Sequence, residues 1–220
     1  MVGEIKQIHW QETDLADLEQ RYRGTFINSI GGFKSVCLVG TKNTANQSNL
    51  AIFSSLVHIG ANPPLVGLVF RPDSVERHTL ENILESGFYT INNICAEFLP
   101  NAHQTAARYA RNASEFENCG LTEAYKSPFF APFVGEATVQ MGVEFKESIP
   151  ISSNGTLLVI GQIKHAFFPE NCLHEDGFLD LNKAGSITCA GLDAYYSTEP
   201  IGRYLYAKTD RVPTILTKEK

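Results

Sequence analysis

The sequence has no long apolar run. No window approaches the roughly 20 apolar residues that a membrane-spanning helix needs. The chain also starts without an apolar leader, so no membrane role is expected and the protein is placed in the cytoplasm. It has no basic stripe. The formal net charge is −6 with both signs scattered along the chain, which argues against nucleic acid as a partner. Cysteine is sparse and unpatterned. Cys37, Cys95, Cys119, Cys172 and Cys189 are odd in number, far apart and never Cys-x-x-Cys, so neither a zinc site nor a redox dithiol is indicated. Buried, reduced thiols are the expectation. Three Asn-x-Ser/Thr triplets, at Asn46, Asn112 and Asn154, are read as chance in a chain without a leader.

The usual catalytic signatures are missing as well. There is no Gly-x-Gly-x-x-Gly after a strand, no Walker loop and no Gly-x-Ser-x-Gly. The six histidines (His9, His58, His78, His103, His165, His174) are scattered, and no two have helical metal-ligand spacing. His174-Glu175-Asp176 reads as a solvated turn. If the protein is an enzyme, a bound organic cofactor must then carry the chemistry.

What is present is β-rich. At 220 residues and 43% hydrophobic content the chain suffices for one domain with a full core, taken as 1–220. Leu15, Leu18 and Tyr22 mark a short helix from Thr13-Asp14 that Gly31-Gly32 breaks. Val36–Val39 reads as a buried strand, Thr41–Asn49 as a polar turn and Leu50–Ile59 as extended chain. Pro63-Pro64 keeps the preceding residues out of helix, and Leu65–Phe70 is a second buried strand. Arg71-Pro72-Asp73-Ser74 leads into a helix with Asp73 and Glu76 at capping-box spacing and an apolar stripe of Val75, Leu80, Ile83 and Leu84. Gly87 ends it. Phe88–Ile94 is a strand, Ala102–Ala110 an alanine-rich helix, and Ser114–Pro132 an irregular excursion. Val139, Met141, Val143 and Phe145 alternate with polar residues, and Leu157, Val159 and Ile163 share a face of a long strand at Gly155–Phe168. One or two short strands follow at Ser186–Tyr196. Many strands and few helices, without βαβ alternation, predict an α+β fold, mainly β: a barrel with inserted helices.

One stretch carries polar groups a core strand does not need. "SNLAIFSS", Ser48–Ser55, places Asn49, Ser54 and Ser55 around Leu50, Ala51, Ile52 and Phe53. Small polar groups beside backbone amides can read the rim of a flat heterocycle, with the apolar residues as its floor. Arg71, Arg77, His78 and Thr79 then gather around a helix start, where free amides and the dipole favour a phosphate. A flat ring plus one phosphate describes a mononucleotide.

The ordered set "NLAIFSS", "NPPLVGLVF" and "HTLENILESGFYTIN" resembles the flavin reductase-like family, whose fold is the FMN-binding split barrel. The matching positions are Asn49, Ser54, Ser55, Pro63, Pro64, Thr79, Asn82, Ile83, Gly87 and Phe88. The resemblance implies that Asn49, Leu50, Ala51, Ile52, Phe53, Ser54 and Ser55 line the ring and ribityl chain of FMN. Arg71 and Thr79 would hold its phosphate, with His78 nearby. It implies an NAD(P)H:flavin oxidoreductase, usually a homodimer, with a pyridine nucleotide or free flavin as its small-molecule partners. A flavoredoxin-like electron carrier and a non-enzymatic small-ligand barrel are the alternatives.

The remaining candidates have duller readings. His165 shares the face of Leu157, Val159 and Ile163, so core packing outweighs a flavin contact. Arg203-Tyr204 and Trp10 are assigned to packing or an interface, and Asn82 to helix stabilisation.

Overall fold

The computed structural model describes residues 5–72 and 76–216. Its elements in chain order are α1 (Glu12–Asp17), α2 (Gln20–Ile30), β1 (Lys34–Ser35), β2 (Cys37–Lys42), β3 (Ser48–Phe53), β4 (Leu56–Ala61) and β5 (Pro64–Phe70). Next come α3 (His78–Ser86), β6 (Phe88–Asn93), α4 (Leu99–Gln104), α5 (Glu115–Asn118), β7 (Glu123–Ala124) and β8 (Phe133–Val134). The last are β9 (Gln140–Ile151), β10 (Thr156–Phe167), β11 (Thr188–Ala190) and β12 (Ala194–Tyr196). Among the described residues no helix is long and apolar enough to cross a membrane.

Seven strands form one antiparallel sheet in the order β3-β2-β6-β9-β10-β5-β4. Its outermost strands, β3 and β4, are joined by Ser54 and Ser55 alone. Six spacings of about 4.8 Å would hold the edges of a flat sheet roughly 29 Å apart. Three Cα steps reach only about 11 Å. The sheet must therefore curl until the end of β3 reaches the start of β4, which closes the expected split barrel at that corner and leaves the rest of the β3 edge unpaired. Ser55 anchors this corner of the seam on β5: its hydroxyl donates to the Val69 carbonyl at 2.9 Å and accepts from the Val69 amide at 3.2 Å.

The barrel interior holds Cys37, Val39, Leu68, Ile83, Tyr89, Ile91, Val143 and Val159. Met141, Phe145, Leu157 and Ile163 pack against it, so the alternation read in β9 and β10 faces inward. Val139 lies apart, with Cys172 and Ala184. Gly161 has a packing reason: a Cβ there would stand 2.3 Å from the Tyr89 hydroxyl oxygen. The outer face of β2 and β3 is also covered. Leu38 and Leu50 pack with Phe98, Ala102 and Phe116. Burial on both faces is why β2 reads as a continuous apolar run. All five cysteines are free and buried, and burial pushes the Cys37 thiol up to about 12.

Several local expectations need correction. The first helix is two helices, because Leu18 is extended and the Glu19 carboxylate caps the Tyr22 amide at 2.9 Å. Neither helix buries a residue. Asp73, Ser74 and Val75 lie outside the described residues. The helix after them begins at His78, and Leu84 is 52% exposed rather than part of the buried stripe. Gly87 ends it in the left-handed conformation expected of a helix stop, at φ 77°. The alanine-rich helix runs over Leu99–Gln104, not Ala102–Ala110. The Thr105 hydroxyl folds back on the Ala102 carbonyl at 2.8 Å, and the chain beyond is irregular. The 114–132 excursion contains one helical turn, α5.

Candidate functional site

A cleft of about 1120 Å³ runs along the exposed edge of β3. Nine of the ten residues singled out in the sequence line it: Asn49, Ala51, Ile52, Phe53, Ser54, Ser55, Arg71, His78 and Thr79. Leu50 does not. Its side chain is fully buried in the core, and its amide donates to the Glu115 carboxylate at 2.9 Å. Strand geometry turns that into a statement about Ile52. Amides two residues apart point the same way, so the Ile52 N–H also faces out from the edge strand, toward the cleft.

At the start of β3 the Asn49 carboxamide donates to the Thr79 hydroxyl at 2.9 Å. Both residues are 7% exposed. Because Thr79 Oγ1 accepts from Asn49, its own proton is left to donate elsewhere, and Thr79 lies at the first turn of α3 where amides are unpaired. Two buried polar atoms here have no hydrogen-bond partner: Arg77 Nε and His78 Nε2. The Glu76 carboxylate is 3.6 Å from His78 Nε2, too long for a hydrogen bond. Arg71, Arg77 and Arg108 line the same cleft, and no described carboxylate lies within 4.0 Å of their guanidinium groups, while Glu81 accepts from the Arg77 amide at 3.2 Å. A helix start with three cleft-lining guanidinium groups free of carboxylate partners and a hydroxyl donor fits the phosphate group of the expected cofactor. Orphaned donors are a cost that such an anion would remove.

Two carboxylates line the cleft, Glu76, which is exposed, and Glu115, which is not. Glu115 is 6% exposed. Burial raises its pKa, while the amides of Leu50 and Glu115 and the charge of His78 pull it down. Sequence reasoning missed it because it enters from α5, within the stretch read as irregular. Also missed were Thr105–Tyr109, read as helix, and Phe33, Lys34, Cys189, Leu192 and Tyr195. The last group arrives through a small sheet, β1-β11-β12, that sets Lys34, Cys189 and Tyr195 in one row. Ser54 lies against the Cys189 thiol, so this sheet closes the far end of the cleft.

Other candidates fall elsewhere. Asn82 donates to the Thr41 hydroxyl at 3.1 Å inside the fold. His165 stacks on Phe167 and meets Phe129 edge-on, outside the cleft lining. Arg203 pairs with Asp176 at 2.6 Å and covers the Phe178 ring, and Trp10 packs on Phe26.

The family model described as "Flavin reductase like domain" matches residues 33–184. The chain belongs to that family. This flavin reductase-like chain is 43% identical to a split barrel protein from Shewanella frigidimarina, assigned as a flavin reductase. That match covers 91% of this chain and 100% of the other, with a TM-score of 0.88. Nitrilotriacetate monooxygenase component B from Bacillus cereus shares the fold at 20% identity and a TM-score of 0.77, over 90% of this chain and 98% of its own. An uncharacterized protein of Halalkalibacterium halodurans is 26% identical over 153 residues, 67% of this chain and 73% of that protein. Membership makes the chain a flavin-related oxidoreductase with a split barrel fold.

Proposed function

We propose that the protein is an FMN-dependent NAD(P)H:flavin oxidoreductase, folded as one domain over 1–220. The observation that carries this reading is the β3 cleft, with the Asn49-oriented Thr79 hydroxyl and the unpartnered Arg77 Nε and His78 Nε2 at one end. The FMN phosphate is assigned to Thr79, His78, Arg77 and Arg71. The ring edge is assigned to the outward backbone of β3 from Ala51 to Ser54, with Phe53 and Ile52 as apolar neighbours. Bound there, the flavin supplies hydride acceptance from a nicotinamide and onward electron delivery. The chain's task is then to hold two flat rings in contact, keep water away and satisfy the ring's polar rim, which needs no acid or base at the reacting carbon.

The assembly is proposed to be a cytoplasmic homodimer. α1 and α2 contain no fully buried residue within one copy, and Tyr22, Ile27, Ile30, Ile201 and Tyr206 are exposed. Exposed apolar surface on this scale suits a second copy of the chain.

The test is an FMN titration followed by an NADH and NADPH oxidation assay with added flavin. Tight binding with a yellow flavin spectrum and flavin-dependent oxidation are expected. A protein that takes up no FMN sinks the reading, and one that takes it up but ignores both nucleotides is an electron carrier instead.

A further inference from the structure

The end of the cleft closed by the small sheet holds two titratable side chains that the flavin reading leaves unused. Tyr195 lines the cleft and stands opposite Cys189 across the β11–β12 ladder. His103, on α4, brings Nδ1 to 2.7 Å from the Tyr195 hydroxyl. The rings meet edge-on at 88°, with centroids 5.7 Å apart. Tyr195 is half-buried and His103 is exposed. The phenol therefore stands between the cleft and an imidazole in contact with water. Burial pushes the Tyr195 pKa up, and Cys189 and Asp193 push it the same way, so the phenol keeps its proton at neutral pH.

Position matters as much as chemistry. Asn49 and Thr79 mark one end of β3, and Ser54 with Cys189 marks the other. Five residues of strand separate them by roughly 17 Å. Tyr195 thus belongs to the end away from the phosphate site. Lys34, in the same row as Cys189 and Tyr195, has its ammonium held by the carbonyls of Asn28 and Gly191 at 3.1 and 3.2 Å. The walls nearby include Phe33, Phe53 and Leu192. This end offers apolar, aromatic surface and the phenolic O–H of Tyr195, while the Ser54 hydroxyl and the Cys189 thiol lie against each other, which suits a neutral, flat molecule with a carbonyl oxygen.

Resting on the flavin reading above, we propose that Tyr195 and His103 form a proton relay for a second ligand of the cleft, a conjugated carbonyl compound of the quinone class that is reduced there. Reducing a quinone to a hydroquinone takes two electrons and two protons. The hydride equivalent from the reduced nicotinamide brings both electrons and one proton. The second proton leaves the Tyr195 O–H as the carbonyl oxygen becomes a hydroxyl. His103 Nδ1–H then reprotonates the phenolate while Nε2 takes a proton from water. An acceptor that takes electrons alone gives this pair nothing to do, so the relay favours an organic acceptor over a metal centre in a partner protein.

The test uses the FMN-loaded full chain with menadione as the quinone and ferricyanide as an acceptor that takes up no proton. Calorimetry on the oxidised protein should show menadione binding about tenfold weaker in Tyr195→Phe, the worth of one hydrogen bond. The ratio of menadione to ferricyanide turnover should fall at least about tenfold in Tyr195→Phe and in His103→Ala. Imidazole in the buffer should restore it in His103→Ala, since the lost ring lies at the surface. Wild-type binding and an unchanged ratio in Tyr195→Phe overturn the relay, as does a lowered ratio in His103→Ala that imidazole leaves untouched. A wild-type chain that binds no FMN, or passes electrons from nicotinamide to neither acceptor, refutes the flavin reading and the relay together.

Discussion

The two ends of the cleft are built by different means. The Thr79 end joins a strand edge to the first turn of α3, only 30 residues apart in sequence. Asn49 and Thr79 are buried there and joined by a side-chain hydrogen bond, and beside them stand the cations Arg71 and Arg77 with two unpartnered nitrogens, Arg77 Nε and His78 Nε2. The Tyr195 end joins β3 to β1, β11, β12 and α4, with Ser54 and Cys189 lying 135 residues apart. Its groups are a phenol, a thiol and an exposed imidazole, and its one ammonium is already engaged. The contrast separates anchoring from turnover. An anion is best held by donors that cannot move. A proton relay needs a path to water, and hence an open rim.

Replacing both Arg71 and Thr79 by alanine is the strongest way to break this contrast. Losing two donors to a phosphate, one of them charged, should weaken FMN binding about a hundredfold, read by fluorescence quenching on titration. Unchanged affinity would move the anchor elsewhere. A smaller effect is expected from Ser55→Ala, which cuts the stitch to Val69 at the barrel seam. Urea denaturation should show a loss of about 1 kcal/mol. A loss well below that would mean that Ser55 serves the ligand rather than the seam.

The smallest effect concerns Glu115, whose folded pKa is raised by burial above the ordinary value of 4.5. Between those two values the folded chain binds more protons than the unfolded one. Stability should therefore fall as pH rises through that window. Glu115→Gln can still accept from the Leu50 amide and should flatten the slope. Urea midpoints measured from pH 4.5 upward check it, and an equal slope in the variant would assign the titration to another group.

Legibility follows the same division. Asn49, Ser54, Ser55, His78 and Thr79 stood out because polar residues interrupt an apolar pattern and a helix start follows within a short span. The inward alternation of β9 and β10 was equally plain, since a period of two has one reading. Leu50 was assigned to the cleft by its place in the run, but its side chain packs with Phe98, Ala102 and Phe116 in the core, and α5 takes its amide. Residues 102–110 look helical by alanine content, yet Thr105 stops the helix and frees the next turn to line the cleft. Tyr195 and His103 carry no local mark. Each is an ordinary residue in a short or exposed element.

The sequence by itself determined the strands, the polar lip of β3 and the helix start beside it, because hydrophobic period and turn chemistry act over a few residues. Only the tertiary structure decided which distant groups face that lip. Closing the seam at Ser54-Ser55 and pairing β1 with β11 are long-range events, and the groups they bring together obey no spacing rule along the chain.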